Sequence, residues 1–105
     1  MKFGYTIIYV RDVLATLAFF ESAFGLSRSF VHEPDYGELG TGETTLAFAT
    51  HDLAAKNLPR GYVAADSSPL PLGIEIALVT ENISAAHAKA ISKGAVEIAP
   101  PLQKP

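Results

Sequence analysis

The sequence predicts an α+β domain built from two copies of a βαβββ unit, the second of them cut short. Residues 7–26 have the composition of a buried strand followed by a helix that stops at Gly25. Residues 76–95 follow the same plan, and a shift of 69 residues superimposes Gly25 on Gly94. A repeat of this length exceeds the period of a solenoid, so it indicates a duplicated module rather than an array.

Length and composition bound the class of protein. The 105 residues suit one domain spanning 1–105, with 49% hydrophobic and 18% charged residues, as is typical of a globular chain. The net charge of −3 comes with scattered basic residues, so we expect no nucleic acid partner. The sequence has no cysteine, and no apolar stretch approaches the ~20 residues of a membrane helix. We therefore expect a cytoplasmic protein with no membrane partner.

The first unit, residues 1–50, opens with the strand Tyr5–Val10, which is rich in β-branched and aromatic residues. Asp12 is suited to cap the helix that follows, and Gly25 to end it in the left-handed conformation. A strand over Ser27–His32 and a hairpin over 36–50 complete the unit, with "GTGE" as the turn. The apolar face of the helix is predicted to be Leu14, Leu17, Ala18 and Phe24.

Residues 51–73 form a connection with three prolines, within which "DLAAKNL" can form one or two helical turns. Its length allows a lid or binding loop, or a plain linker between modules.

The second unit, residues 74–105, begins with a predicted strand in "GIEIALVT". Asn82 caps a helix with the stripe Ile83, Ala86, Ala90 and Ile91, and Gly94 ends it. A second strand is predicted in "AVEIA", where the unit stops early.

The segment "YVRDVLATLAFFESAFGL" resembles the strand–helix signature of the vicinal oxygen chelate superfamily, which includes glyoxalase I, bleomycin-resistance proteins and extradiol dioxygenases. Residues 75–101 are similar to the second module of the same superfamily. The resemblance implies that paired βαβββ modules form a curved mixed sheet, a glyoxalase-like cup, with a helix on the outer face of each half. Phe19, Phe20 and Phe24 are then expected to bind the helix to the sheet.

Alternation along the strands predicts which side chains line that cup. Thr6, Ile8 and Val10 should meet the first helix, as should Leu46 and Phe48. The expected ligand-binding residues are Tyr5, Ile7, Tyr9, Ala47, Glu75 and Ala77, with Ala49 and Val79 beside them.

The resemblance also implies metal positions in some members, but they are mostly unfilled in this chain. Carried over residue by residue, they fall on Tyr5, Ala47 and Glu75, of which Glu75 is the only plausible metal ligand. His32, His51 and His87 lack metal-ligand spacing, and we expect them to be structural or exposed. No cofactor is therefore expected, no catalytic residue is identified, and a divalent metal remains the alternative.

These observations predict a non-catalytic protein that sequesters an apolar or aromatic small molecule in the cup. The alternative is a divalent-metal-dependent lyase, isomerase or dioxygenase of the glyoxalase type, and a third possibility is an assembly module without a small ligand. The short second unit leaves an open sheet edge, so we expect a homodimer in which a second chain covers it.

Overall fold

A computed structural model describes residues 1–103 and has one mixed sheet of four strands with three α-helices in that range, so the predicted α+β class is confirmed. The elements, in chain order, are β1 Tyr5–Val10, α1 Val13–Phe24, β2 Ser27–His32, β3 Tyr36–Gly40, β4 Thr45–Thr50, α2 His51–Asn57, a 3₁₀ turn at Ala65–Ser67, and α3 Ile83–Ser92. Lys104 and Pro105, the end of the predicted domain, lie outside the described residues.

The first unit folds as its sequence predicts. The strand order is β1-β4-β3-β2, with β1 parallel to β4 and the other pairs antiparallel. β3 and β4 form the predicted hairpin, whose turn is closed by a hydrogen bond of 2.7 Å from the Thr41 hydroxyl to the Thr44 carbonyl oxygen. A parallel β1–β4 pair requires a crossover, which α1, β2 and β3 supply together.

α1 begins and ends at the two predicted residues. The Asp12 carboxylate accepts a hydrogen bond of 3.0 Å from the Ala15 amide, and Gly25 ends the helix at φ 70°. One face of α1 packs on the sheet through a buried core, to which Ile8 and Val10 add from β1, as predicted. Each of these buried side chains contributes on the order of 1.5–3 kcal/mol of apolar transfer. The core residues are Val13, Leu17, Leu39, Leu46 and Phe48.

The prediction that phenylalanines bind α1 to the sheet is confirmed for Phe20. Phe20 packs on Phe48 of the sheet with ring centroids 4.9 Å apart. Phe24 is 37% exposed and turns toward the α3 side, and Ala18, also predicted for the apolar face, is exposed. Phe19 approaches Gly94 at the end of α3. α3 packs on α1 and thus offers Phe19 and Phe24 an apolar neighbour in addition to the sheet.

In the second unit the helix is confirmed and the strands are not. Asn82 caps α3 through a hydrogen bond of 3.1 Å from the Ala85 amide, and Gly94 follows the helix at φ 113°. Residues 73–80 and 95–99, predicted as strands, belong to no sheet. A strand exists only with a hydrogen-bonded neighbour, and no segment within residues 1–103 pairs with either stretch. None of the helices in this range is long and apolar enough to cross a membrane.

Candidate functional site

The face of the sheet opposite α1 carries a group of large side chains, which we call the open face. Strand pairing places its members in two adjacent rows, because directly paired residues point to the same side of a sheet. One row runs Ile7, Ala47, Glu38, Phe30 across the four strands, and the next runs Tyr9, Ala49, Tyr36, His32. We define the open face by its large members and the neighbouring Tyr5, so it consists of Tyr5, Ile7, Tyr9, Phe30, Tyr36 and Glu38.

The open face offers apolar surface that its own neighbours leave uncovered. Tyr5 is 58% exposed, Ile7 is 45% exposed and Phe30 is 52% exposed. Ala47 and Ala49 lie in the same rows but are 0% and 1% exposed, so they give a ligand no surface to touch. A molecule on this face would therefore contact the rings and Ile7 rather than the alanines between them.

Glu38 lies in a central strand of this face and is half-buried. The Tyr36 hydroxyl donates a hydrogen bond of 2.8 Å to Oε2 of Glu38, which fixes the orientation of the carboxylate. Burial raises the pKa of the Tyr36 phenol far above its usual range, and the Glu38 carboxylate adds to the rise. The phenol consequently remains a neutral hydrogen-bond donor at neutral pH.

A cluster at the end of β1 and β4 ties the long connection to the sheet. Nε2 of His51 donates a hydrogen bond of 3.1 Å to the Asp66 carboxylate, and Nδ1 of the same ring is hydrogen-bonded to the Tyr62 hydroxyl at 2.6 Å. The His51 hydrogen bond holds the pKa of Asp66 below its usual range, and Arg11, 3.7 Å away, acts in the same direction. His51 thus anchors the connection.

The anchored connection brings one more aromatic ring to the edge of the open face. Tyr62 lies against Tyr9 with ring centroids 5.6 Å apart. The end of the open face formed by Tyr9 is therefore bordered by a side chain from residues 51–73, the stretch for which the sequence left a binding loop and a linker as alternatives.

The structure places the predicted site residues in two groups. Tyr5, Ile7, Tyr9 and Ala47 share the open-face side of the sheet. Glu75 and Ala77, with Val79, instead line a cavity of about 810 Å³ between α3, the end of α1 and the sheet. None of the six open-face residues lines that cavity. The separation follows from residues 73–80 not joining the sheet as a strand.

Sequence reasoning missed Glu38, Tyr36 and Phe30. The hairpin offered a signal for the first two, because Tyr36 and Glu38 are two residues apart in a strand paired with β4 and must share its face with Ala47 and Ala49. Phe30 lies beyond a register shift in β2, between Arg28 and Phe30, and simple alternation does not locate such an irregularity.

The donor chemistry does not fit a metal site of the kind that the resemblance allows. Ala47 has no ligating atom. Glu75 lines the cavity beside α3, whereas Tyr5 lies on the open face. Within residues 1–103 no three His, Asp or Glu side chains come close enough together to hold a metal ion. The expectation of no cofactor stays a prediction.

The fold of the described residues is similar to that of solved glyoxalase/bleomycin resistance protein/dioxygenase structures, as the resemblance implied. A "glyoxalase/ bleomycin resistance protein/ dioxygenase" from Nocardioides has a TM-score of 0.74 at 17% identity, covering 100% of this chain and 70% of its own.

Two further solved structures are similar to this chain. A glyoxalase/bleomycin resistance protein/dioxygenase family enzyme from Burkholderia phytofirmans PsJN has a TM-score of 0.63 at 23% identity, covering 87% of this chain and 72% of its own. A gene product from Arabidopsis thaliana has a TM-score of 0.68 at 23% identity, covering 94% and 76%. No protein-family model matches the chain, and no curated protein does. At these identities the likeness concerns the fold.

Proposed function

We propose that this protein binds a planar apolar or aromatic small molecule on the open face of its sheet. The observation that carries the proposal is the exposure of Tyr5, Ile7 and Phe30 on one face, next to the half-buried rings of Tyr9 and Tyr36. Phe30 and Tyr36 lie 6.3 Å apart between centroids and Tyr9 lies across β4 from Tyr36, so a flat ligand has rings on two sides to stack against. The predicted cytoplasmic location remains part of this proposal.

Equilibrium titration with a panel of planar aromatic compounds tests the proposal. Tyr5→Ala is expected to weaken binding roughly two- to tenfold, because one aromatic contact contributes about 0.5–1.5 kcal/mol. The same change should leave the stability nearly unaltered, since more than half of the side chain is already in water. Leu70→Ala is the matched control, because Leu70 is 73% exposed and lies outside the open face.

Two results would overturn the proposal. One is the absence of binding across the panel. The other is turnover that depends on a divalent metal, which would favour the glyoxalase-type enzyme over a sequestering protein. Elemental analysis of protein purified without chelator measures the metal content directly. A stoichiometric metal in the wild-type chain that is lost in Glu75→Ala would support the enzyme, whereas a metal retained in Glu75→Ala would indicate contamination.

We also propose a homodimer formed through the second unit. Its side chains leave a large apolar surface in water: Val79 is 99% exposed, Ile98 94% and Val96 87%. No backbone hydrogen bond joins residues 74–80 to another part of the described range 1–103, so this extended segment is available to pair with its own copy about a twofold axis. Sedimentation at micromolar concentration should give a dimer that Val79→Asp dissociates, and a wild-type monomer would refute the idea.

A further inference from the structure

We propose that the ligand of the open face carries a positive charge, and that Glu38 is its counter-ion. This inference rests on the proposed function, since it names the chemical class of ligand for the same face. The ligand class is an aromatic cation: a flat ring system with an ammonium, amidinium or ring-nitrogen charge.

The Glu38 carboxylate is isolated from basic side chains within residues 1–103. Glu38 is half-buried in a central strand, and its hydrogen-bond partner within residues 1–103 is a neutral phenol, that of Tyr36. The four ion pairs of the described residues do not include Glu38. A carboxylate in this setting is partly removed from water without a compensating cation, which makes it a favourable place for a positive group.

Arg28 and Arg11 are directed to carboxylates other than Glu38. Arg28 of the neighbouring strand pairs with Leu39, on the helix-packed side, and its Nε lies 2.9 Å from Glu21 of α1. Arg11 is directed toward Asp66. His32, at the outer edge of the open face, is the one basic residue in its two rows, and it lies in the row next to that of Glu38.

Two aromatic residues lie beside the Glu38 carboxylate. Phe30 is paired directly with Glu38 across β2 and β3, and Tyr36 is two residues away on the same strand and face. A cation close to the carboxylate therefore comes within reach of two ring faces, which attract positive charge through their quadrupoles. A carboxylate flanked by rings favours a cationic aromatic ligand over a neutral one. Pairing with the carboxylate and the cation–π contact both need the positive charge, and stacking needs the ring of the ligand.

Three probes with one ring skeleton separate charge from stacking. At neutral pH 9-aminoacridine is a cation, acridine is neutral and acridine-9-carboxylate is an anion, and all three can be titrated by fluorescence. We expect 9-aminoacridine to bind about tenfold more tightly than acridine, and the carboxylate to bind most weakly. Raising the ionic strength should reduce this preference without abolishing the binding of acridine.

Glu38→Gln keeps the shape of the side chain and an oxygen that can accept the Tyr36 hydrogen bond, and it should equalise the affinities of the cation and the neutral probe. Glu43→Gln is the matched control, because Glu43 is exposed in the β3–β4 turn and its loss changes the net charge by the same amount. This control should retain the preference for the cation.

The outcomes are distinguishable. Equal affinity of 9-aminoacridine and acridine for the wild-type chain refutes the cation inference while leaving the proposed function standing. Loss of the preference in Glu43→Gln as well as in Glu38→Gln also refutes it, because the attraction would then come from net charge. Binding of none of the three probes refutes both proposals. The comparison on the wild-type chain tests whether the face prefers a cation even where a variant fails to fold, and the comparison of Glu38→Gln with Glu43→Gln tests whether Glu38 is the counter-ion.

Discussion

Gly37 on β3 should be one of the positions least tolerant of a single added methyl group. It is buried on the helix-packed side of the sheet, where a Cβ atom would lie 2.5 Å from Cδ1 of Leu17 and 3.2 Å from Cγ1 of Val13. Leu17 is 0% exposed and is held in the core with Leu39 and Phe48, so it has no free space into which to turn. Gly37→Ala therefore overpacks the contact between α1 and the sheet.

Two opposing terms set the expected magnitude. Overpacking of a close-packed core costs typically 1–3 kcal/mol. Replacing glycine restricts the unfolded chain, which returns about 0.4–1 kcal/mol. We therefore expect Gly37→Ala to lower the free energy of unfolding by about 1–2 kcal/mol. Gly40→Ala in the same strand should be neutral or slightly stabilising, since the nearest atom to its added Cβ is 3.9 Å away.

Urea unfolding followed by circular dichroism measures both variants, and a double-mutant cycle tests the cause. Leu17→Ala alone should cost about 2–5 kcal/mol. In the double variant the new methyl occupies the vacated space, so the combined loss should be smaller than the sum of the single losses by about 1–2 kcal/mol. Wild-type stability for Gly37→Ala, or strict additivity with Leu17→Ala, would refute this account of the packing.

Three further predictions concern charge and aromatic packing. Folding raises the pKa of Tyr36, so the contribution of this phenol to the free energy of unfolding is intact below pH ~10 and is lost as the pH rises further. Tyr36→Phe should therefore flatten the alkaline decline in stability, and an unchanged decline would contradict this. The pKa of Asp66 is lowered, so its contribution is present above pH ~4 and lost as the pH falls through the folded-state value. Urea melts at acid pH should show that Asp66→Asn lacks this loss, whereas identical acid profiles would argue against the His51 hydrogen bond in solution. Phe48→Ala should lower the free energy of unfolding by about 3–5 kcal/mol, and by more than Phe24→Ala does, because Phe48 is 1% and Phe24 37% exposed. Thermal unfolding measures both variants, and the reverse order would contradict the assignment of Phe48 to the core.

Local features of the chain were readable from the sequence because their causes are local. Asp12 caps α1 and Gly25 ends it since each acts on its own few residues of backbone. The alternation of β1 correctly placed Ile8 and Val10 on the helix-packed side, because successive side chains of any strand point to opposite faces.

Features that depend on distant neighbours were decided by the tertiary structure. Residues 73–80 have the composition of a strand, yet strand formation needs a partner that composition does not supply. Phe24 is 37% exposed at the end of α1, where α3 provides an apolar neighbour besides the sheet. Ala47 faces the predicted side but is covered, since exposure depends on the size of its neighbours across three strands.

The candidate site shows the same division. The sequence by itself determined that Tyr5, Ile7 and Tyr9 share one face, because a strand repeats every two residues. Only the strand order β1-β4-β3-β2 and its register brought Glu38 into line with Ile7, through Ala47 between them. That arrangement depends on the pairing of Ile7 with Ala47, 40 positions away in the chain, as well as on the local hairpin pairing of Ala47 with Glu38. Side-chain periodicity carries no information about which distant strands become neighbours.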